Sequence, residues 1–185
     1  SIPIAGLYNI YNALAAYSAA KFFGLSTEEI QEGFSKAQRV FGRQETFDVE
    51  DKEVMLNLIK NPVGFNQIVQ LLSYEKESFS LGVLLNDNPA DGQDISWIWD
   101  GDFEGLHALN AADTAISGIR VDDLGVRMEV AGFENMKVFK TNAELIDWIR
   151  KAPTKKVNVL ATYTALLDLR KDFAKEGYLK EGMNG

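Results

Sequence analysis

The sequence predicts an α/β fold, in which a Rossmann-like, mainly parallel sheet is flanked by helices and preceded by a short helical segment. From residue 54 onward, short apolar runs alternate with amphipathic helical patterns at the spacing of βαβ units. The earlier residues carry two helical patterns with no strand between them. We therefore predict two parts, residues 1–46 and residues 47–185, with the charged stretch 48–53 at the boundary.

Two helices are predicted in the N-terminal part. Residues 8–23 are rich in alanine, carry apolar side chains at helical spacing and end at Gly24, a residue typical of helix C-termini. Their composition predicts a buried helix. Ser26 and Glu29 fit a capping box, so a second helix is expected to start there and to run to about residue 38.

In the α/β part, the sequence predicts five strands that alternate with five helices. The strands are expected at residues 54–59, 79–85, 114–119, 136–139 and 157–161, and the helices at residues 63–74, 103–109, 121–131, 142–151 and 164–175. A parallel sheet gathers the carboxyl ends of its strands at one edge. Ligands and partners are therefore expected at the loops that follow those ends.

The composition excludes several kinds of site. A net charge of -8 argues against a nucleic-acid partner, because neutralising phosphates takes a basic surface. The absence of cysteine excludes disulfides, thiolate metal sites and a catalytic cysteine in this chain. The single histidine, His107, is interpreted as a surface helix residue rather than as a catalytic base. No metal site is therefore expected from cysteine or histidine.

The ends and the missing motifs of the chain suggest a piece of a longer, cytoplasmic protein. The sequence starts without methionine, enters helical sequence almost at once and has no apolar run of membrane-spanning length. It has neither a Gly-x-x-x-x-Gly-Lys-Ser/Thr motif nor a Gly-x-Gly-x-x-Gly motif after a strand. A nucleotide phosphate site would thus lie elsewhere, and we expect the piece alone to be inactive.

The most distinctive segment is the loop 86–100, which follows the predicted strand 79–85. It carries four carboxylates and two indoles without a compensating lysine or arginine: Asp87, Asp91, Asp94, Asp100, Trp97 and Trp99. One aspartate is enough to cap or shape a turn. Four repel one another unless a cation, hydrogen-bond donors or a protein partner offset their charge. Alternation exposes at least one of the indoles, which have the character of interface anchors.

Two functions of this loop follow from its residues alone. The first is a non-catalytic interaction module, in which the acidic loop with its tryptophans docks a basic or hydrophobic partner. The second, ranked lower, is a divalent-cation site formed by Asp87, Asp91 and Asp94. A stability shift with Mg²⁺ or Ca²⁺ would favour the second.

Three further motifs suit either local structure or nucleotide binding. Asn9 and Asn12 are neighbours on one helical face, where Asn9 either caps the helix or joins Asn12 in reading the edge of an adenine. Arg43 lies in an exposed turn or clamps a phosphate. Asn57 and Lys60 end a predicted strand, in a well-formed βα turn or in a loop that faces a ligand.

At these motifs the chain resembles the C-terminal part of the MurT family, the Mur-ligase-like subunits of lipid II isoglutaminyl synthases in Gram-positive bacteria. The matching residues are 6–16, 42–45, 57–64 and 86–100. The first two motifs are shared with Mur ligases generally, whereas the Asp/Trp loop is specific. The resemblance covers essentially the whole chain. It implies a Mur-ligase C-terminal domain preceded by the last helices of the central, ATP-binding domain.

The resemblance also implies an activity in peptidoglycan synthesis. The intact subunit would use ATP with Mg²⁺ to activate the D-glutamate carboxylate of the lipid II stem peptide, at the inner face of the membrane. A GatD-type glutaminase partner would supply the ammonia that gives D-isoglutamine. The P-loop and the zinc ribbon of the family would lie outside this chain, in agreement with its missing motif and its lack of cysteine.

The nucleotide residues follow from the resemblance position by position. Asn9 and Asn12 match the Mur-ligase amides near adenine, and Arg43 matches the arginine near the nucleotide at the interdomain hinge. Asn57 and Lys60 stand where many Mur ligases have Asp and His in an Asp-Tyr-Ala-His-Asn-Pro motif. These two positions depart from the family pattern.

Asp94 matches the MurT aspartate that completes a Cys-His-Asp triad across the subunit interface, in which GatD supplies the cysteine and the histidine. A carboxylate at the far nitrogen of a histidine fixes its tautomer and stabilises the imidazolium that forms. Asp91, Trp97 and Trp99 are expected at the interface with the same partner.

Overall fold

The computed structural model describes residues 7–36, 44–109 and 111–179. The chain divides into two compact units, Ser1–Val40 and Phe41–Gly185. Within the described residues, no helix has the length and apolar character needed to cross a membrane.

The first unit contains the two predicted helices, α1 (Leu7–Phe22) and α2 (Thr27–Ser35). Helix α1 ends as predicted at Gly24, which has a φ of 88°. The N–H groups of Gly24 and Leu25 donate to carbonyls of the last turn, at 3.0 and 3.1 Å. The predicted capping box of α2 is confirmed, with reciprocal bonds between Ser26 and Glu29. The expected end of α2 near residue 38 lies outside the described residues.

The prediction that α1 is buried is wrong for this chain. Ile10, Leu14 and Phe22 are 58, 59 and 86% exposed. Apolar residues surround α1 on all sides rather than forming one stripe, so full burial would require neighbours on several sides. In the described part of the first unit, α2 is the one helix that packs against it.

The second unit has the predicted α/β architecture. Its strands are β1 (Glu45–Val49), β2 (Lys52–Leu58), β3 (Phe79–Leu84), β4 (Asp113–Ser117), β5 (Lys137–Val138) and β6 (Lys156–Ala161). Its helices are α3 (Pro62–Leu72), α4 (Phe103–Ala108), α5 (Val121–Val130), α6 (Asn142–Arg150) and α7 (Tyr163–Lys175). The six strands form one sheet in the order β1-β2-β6-β3-β4-β5, in which only the pairing of β1 with β2 is antiparallel.

Strand β1 was not predicted, and the charged stretch 48–53 is not a domain boundary but the tip of a hairpin. Val49 pairs with Lys52 across a two-residue turn in which Glu50 has a φ of 56°. Such turns favour Gly or Asn at positive φ, and glutamate gives no such signal. The strand also lies at the sheet edge, where charged residues are usual.

The sheet is covered on both faces. Helices α3, α4 and α5 pack on one face around residues such as Phe65, Phe103 and Met128. Helices α6 and α7 pack on the other around residues such as Ile146 and Phe173. The helix that follows β6 therefore lies on the opposite face from the helices that follow β2 and β3. This reversal creates a topological switch point at the carboxyl ends of β3 and β6, the position where open α/β sheets bind ligands.

The loops after β3 and β4 approach each other closely. The N–H of Leu85 donates to the carbonyl of Ser117 at 3.1 Å, and the N–H of Arg120 donates to the carbonyl of Leu85 at 3.0 Å. Gly118 lies between these contacts with a φ of 108°, and a Cβ there would lie 2.3 Å from the Leu85 oxygen. Only glycine fits at this point. Strand β4 consequently ends at Ser117, two residues before its predicted end.

Candidate functional site

The crevice at the switch point is filled by hydrogen bonds between the loop 86–100 and the start of α7. The Asn86 N–H donates to the Thr162 hydroxyl at 2.8 Å, and the Asn86 amide donates to the Thr164 hydroxyl at 2.9 Å. The Asn86 carbonyl oxygen accepts from the Ile119 N–H at 2.8 Å. One buried asparagine thus ties together the loops after β3, β4 and β6. These hydrogen bonds fix the start of the loop and leave its other side exposed.

Asp91 holds the loop to α7. Its carboxylate accepts from the N–H of Thr164 at 2.7 Å, from the Thr164 hydroxyl at 2.6 Å and from the N–H of Asn88 at 3.1 Å. A carboxylate at a helix N-terminus is stabilised by the unpaired N–H groups there. Asp91 is only 5% exposed. Its place in the structure is therefore inside the loop, and the expectation of a direct contact with a partner does not fit this burial.

Asp87 is neutralised by an arginine that the sequence analysis did not connect with the loop. Arg120, just before α5, pairs with Asp87 at 3.1 Å and with Asp123 at 2.8 Å. The hydrogen bond that Arg120 donates to the carboxylate of Asp123 is the first of the causes that raise the pKa of Arg120. Among the described residues, no group of three or more acidic or histidine side chains is arranged to hold a metal ion. The cation hypothesis therefore has no support in the geometry.

Asp94 is exposed, as is Asp100 at the end of the same loop. The hydroxyl of Ser96, followed by its backbone N–H, lowers the pKa of Asp94 by hydrogen bonding to the carboxylate. The N–H bond measures 2.9 Å. No lysine or arginine in the described part of the chain pairs with Asp94. Asp94 is thus oriented by its own loop, ionised at neutral pH and open to an outside donor.

The two indoles of the loop have different environments. Both lie in the 3-10 turn Ser96–Trp99. Trp97 is partly buried against the core, with its ring centre 6.2 Å from that of Phe65. Trp99 is 53% exposed. The expectation that at least one indole is exposed is confirmed, and Trp99 is the one that presents a surface anchor.

Arg127 on α5 holds the 3-10 turn in place although it is only 3% exposed. It donates to the carbonyls of Ile98 at 2.9 Å and Gly101 at 3.0 Å. It also makes two bonds of 2.8 Å to the carboxylate of Glu104, and these hydrogen bonds lower the pKa of Glu104 to about 2. Its guanidinium carbon lies 5.5 Å from the ring centre of Trp99. Arg127 thus fixes the exposed indole.

Asp94 and Trp99 line a cavity of about 550 Å³ whose other wall is the start of α5. The wall residues include Arg120, Asp122 and Val126. The cavity is open to solvent beside the loop. Its volume is large enough for a side chain from another molecule, and Asp94 is one of its lining residues.

His107 lies on α4, and its side chain is exposed, as predicted. Its ring packs against Phe133 with the ring centres 5.1 Å apart. The geometry gives it a packing role.

The residues expected near a nucleotide are divided between the two units. Asn9 and Asn12 lie on α1, where Asn9 is buried and Asn12 is exposed. Asn57 on β2 is fully buried, and both polar atoms of its amide lack a hydrogen-bond partner. Lys60 is exposed after β2. Arg43 lies outside the described residues.

The sequence analysis missed Arg120, Arg127 and Thr164. The one available signal was for Arg127, which lies between Leu124 and Met128 on the inner face of α5, where a charge requires partners. Arg120 and Thr164 come close to the loop only because parallel strands bring their following loops together. No spacing in the sequence indicates that pairing.

Comparisons with known proteins agree with this architecture. The profile of the family described as MurT ligase C-terminal matches residues 58–166. The MurT subunit of lipid II isoglutaminyl synthase (glutamine-hydrolyzing) from Streptococcus pneumoniae is 43% identical over 185 residues, which cover 99% of this chain and 41% of that protein. The corresponding subunit from Staphylococcus aureus strain COL is 37% identical over 152 residues, 80% of this chain and 35% of that protein.

Solved structures of ligases share the fold. Folylpolyglutamate synthase from Thermotoga maritima matches with a TM-score of 0.66 at 19% identity, over 97% of this chain and 42% of that one. UDP-N-acetylmuramate-alanine ligase MurC from the same organism matches with a TM-score of 0.68 at 14% identity, over 95% and 39%. This chain therefore spans about two-fifths of the length of the pneumococcal relative, and it belongs to the MurT ligase C-terminal family.

Proposed function

We propose that this chain is the C-terminal part of the ligase subunit of a lipid II isoglutaminyl synthase. With a GatD-type glutaminase subunit, the complete protein amidates the D-glutamate of the lipid II stem peptide to D-isoglutamine. The support is a pneumococcal relative that is named as the MurT subunit of a glutamine-hydrolyzing lipid II isoglutaminyl synthase and that aligns with 99% of the chain. The reaction consumes ATP and glutamine, so its place is the cytoplasmic side of the membrane.

The proposed role of Asp94 is to complete the glutaminase active site of the partner. In a Cys-His-Asp triad, the carboxylate accepts the N–H of the histidine, fixes its tautomer and stabilises the positive charge that forms when the thiol loses its proton. The observation that carries this role is the state of Asp94, which is exposed, has a lowered pKa and has no cation of its own. Of the four carboxylates in the loop, Asp87 and Asp91 are already engaged.

A carboxylate supplied in trans makes glutamine hydrolysis depend on assembly. The glutaminase alone would then have a poorly oriented histidine, and ammonia would not be released without an acceptor. Asp94 is well placed for this control because Ser96 orients its carboxylate and Arg127 fixes the 3-10 turn that follows it.

The proposed nucleotide residues of this chain are Asn9, Asn12, Arg43, Asn57 and Lys60. ATP with Mg²⁺, bound mainly by parts of the protein outside this chain, would supply the energy to activate the carboxylate. Two solved folylpolyglutamate synthases from Mycobacterium tuberculosis that share the fold are complexed with ADP or AMPPCP. In the second unit, the exposed ammonium of Lys60 is a donor that suits an anionic ligand.

Reconstitution tests the proposed function. Glutamine hydrolysis is measured for the glutaminase subunit alone, with the complete native protein, and with its Asp94→Asn variant, while complex formation is followed by calorimetry. We expect the native protein to raise hydrolysis strongly and Asp94→Asn to bind normally without doing so. Unchanged hydrolysis with Asp94→Asn would remove Asp94 from the triad.

The same assay separates the second candidate function, a docking module without a catalytic role. The half-exposed Trp99 is the observation that favours it. Complex formation with no rise in hydrolysis, for the native protein itself, would support docking alone.

A further inference from the structure

Asp94 lies at the edge of a larger surface, formed by α5 and its neighbours, that exposes more large apolar side chains than the rest of the second unit. Seven large apolar side chains are exposed in the described part of that unit, and five of them lie on or beside α5: Trp99, Ile119, Val126, Val130 and Val138. The two others, Val63 and Tyr74, lie at opposite ends of α3. The apolar exposure is therefore concentrated on one side of the molecule.

Val126 forms a ridge between two depressions. It is 54% exposed and lines both the cavity of about 550 Å³ that contains Asp94 and a second one of about 720 Å³ beside β5. Asp122 also lines both cavities, one helical turn before Val126. Val130 extends the same helix face by another turn. A row of exposed apolar side chains between two cavities is a shape to which a complementary protein surface can bind.

The charge around this ridge is negative. Asp94 and Asp122 at the first cavity, and Glu129 and Glu134 at the second, make no ion pair in the part of the chain that the structure describes. Arg120, the one cation among the lining residues, already pairs with Asp87 and Asp123. The surface therefore suits a partner with an apolar centre and a lysine- or arginine-rich rim.

We propose that the outer face of α5, centred on Val126, is the docking surface for the glutaminase subunit. This inference rests on the proposed function. A histidine that reaches Asp94 brings the surface of the partner over the wall of the first cavity, which is α5. A stable interface also covers about 800 Å² on each partner, and the exposed apolar residues nearest to Asp94 are those on and beside α5. On the other side the loop meets α7 through the polar pairs of Asn88 and Thr164, so it extends an apolar surface only towards α5.

The test compares two exposed apolar residues in the complete native protein. Val126→Lys replaces an apolar contact at the centre of the surface with a charge that docking would bury, and we expect it to raise the Kd for the glutaminase subunit at least tenfold. Val126→Ala, which cannot disturb an exposed helix face, should raise it a few-fold. Tyr74→Lys is the matched control, because Tyr74 is 72% exposed at the far end of α3, and its Kd should stay within twofold of native.

Activity distinguishes this inference from the function on which it rests. At saturating glutaminase, Val126→Lys should restore full glutamine hydrolysis, whereas Asp94→Asn should bind normally and fail to hydrolyse. A Kd unchanged by Val126→Lys would overturn the docking surface while leaving the role of Asp94 intact. A change in self-association with unchanged Kd would assign the surface to a second copy of this chain and would equally overturn the proposal.

Discussion

At the scale of single residues, the aspartates of the loop 86–100 have different environments although their side chains are chemically identical. Asp91 is buried and bonded to a helix N-terminus, Asp87 is paired with Arg120, and Asp94 is exposed and oriented by Ser96. The sequence predicted that four aspartates need compensation. It did not predict which aspartate is compensated by what, because the donors to Asp87 and Asp91, Arg120 and Thr164, come from loops more than thirty residues away.

Asn57 is a second residue whose environment is informative. Its amide is fully buried with no hydrogen-bond partner, a state that costs free energy. We expect Asn57→Leu to raise the free energy of unfolding by about 1 kcal/mol in urea titrations. A loss of stability would show that the amide has a partner in solution and would contradict this expectation.

The pair of Glu104 with Arg127 predicts a dependence of stability on pH. The pKa of Glu104 is lowered from 4.5 to about 2 in the folded protein, chiefly by hydrogen bonds from Arg127. The stabilisation is therefore complete above pH 4.5 and is lost as the pH falls towards 2. Because the side chain of Glu104 is 59% exposed, solvent screening reduces the effect to about 1 kcal/mol.

The measurement is the free energy of unfolding of the native protein and of Glu104→Gln between pH 7 and pH 2. The native protein should be the more stable at pH 7, and the difference should shrink below pH 4.5. Glu134→Gln is the control, since Glu134 makes no ion pair in the described part of the chain. A difference that is constant with pH would exclude the ion pair as its source.

At the scale of elements, the order of strands and helices was predictable from periodicity. All five predicted strands and all five predicted helices of the α/β part are present, with boundaries displaced by at most a few residues. The exceptions have physical causes. Strand β1 has charged residues at an edge and a turn without glycine, and β5 is only two residues long because the sheet ends there. Strand β1 was not predicted because it contains too many polar residues to form an apolar run.

Gly118 gives a prediction for the connection between β4 and α5. A Cβ at this position would lie 2.3 Å from the Leu85 oxygen, in addition to the strain of a φ of 108°. We expect Gly118→Ala to lower the free energy of unfolding by about 3 kcal/mol, measured in urea. Gly177→Ala is the matched control, because Gly177 has a φ of 85° with nothing within 4 Å of the added carbon. Its loss should be about 1 kcal/mol. Equal losses would show that strain alone, not the close approach, matters at Gly118.

At the scale of the whole molecule, the second unit is a scaffold that presents one loop and one helix on the same side. At the switch point, where related folds bind ligands, Asn86 and Thr164 join the loops by a hydrogen bond. The proposed site lies beside it, at Asp94, Trp99 and the face of α5. The sequence located the loop after β3. Recognising α5 as its neighbour required the sheet order, which local patterns do not encode.

The central claim is that Asp94 activates a cysteine in another subunit, and the reactivity of that cysteine measures it most directly. With the partner saturated by the complete native protein, the rate of inactivation by the electrophilic glutamine analogue 6-diazo-5-oxo-L-norleucine reports how readily the thiol is deprotonated. We predict that Asp94→Asn slows this rate by roughly 10²–10⁴-fold, as expected when a triad loses its carboxylate. Asp100→Asn, in the same loop, should leave it within twofold. An Asp94→Asn complex that is inactivated as fast as the native complex would contradict the account.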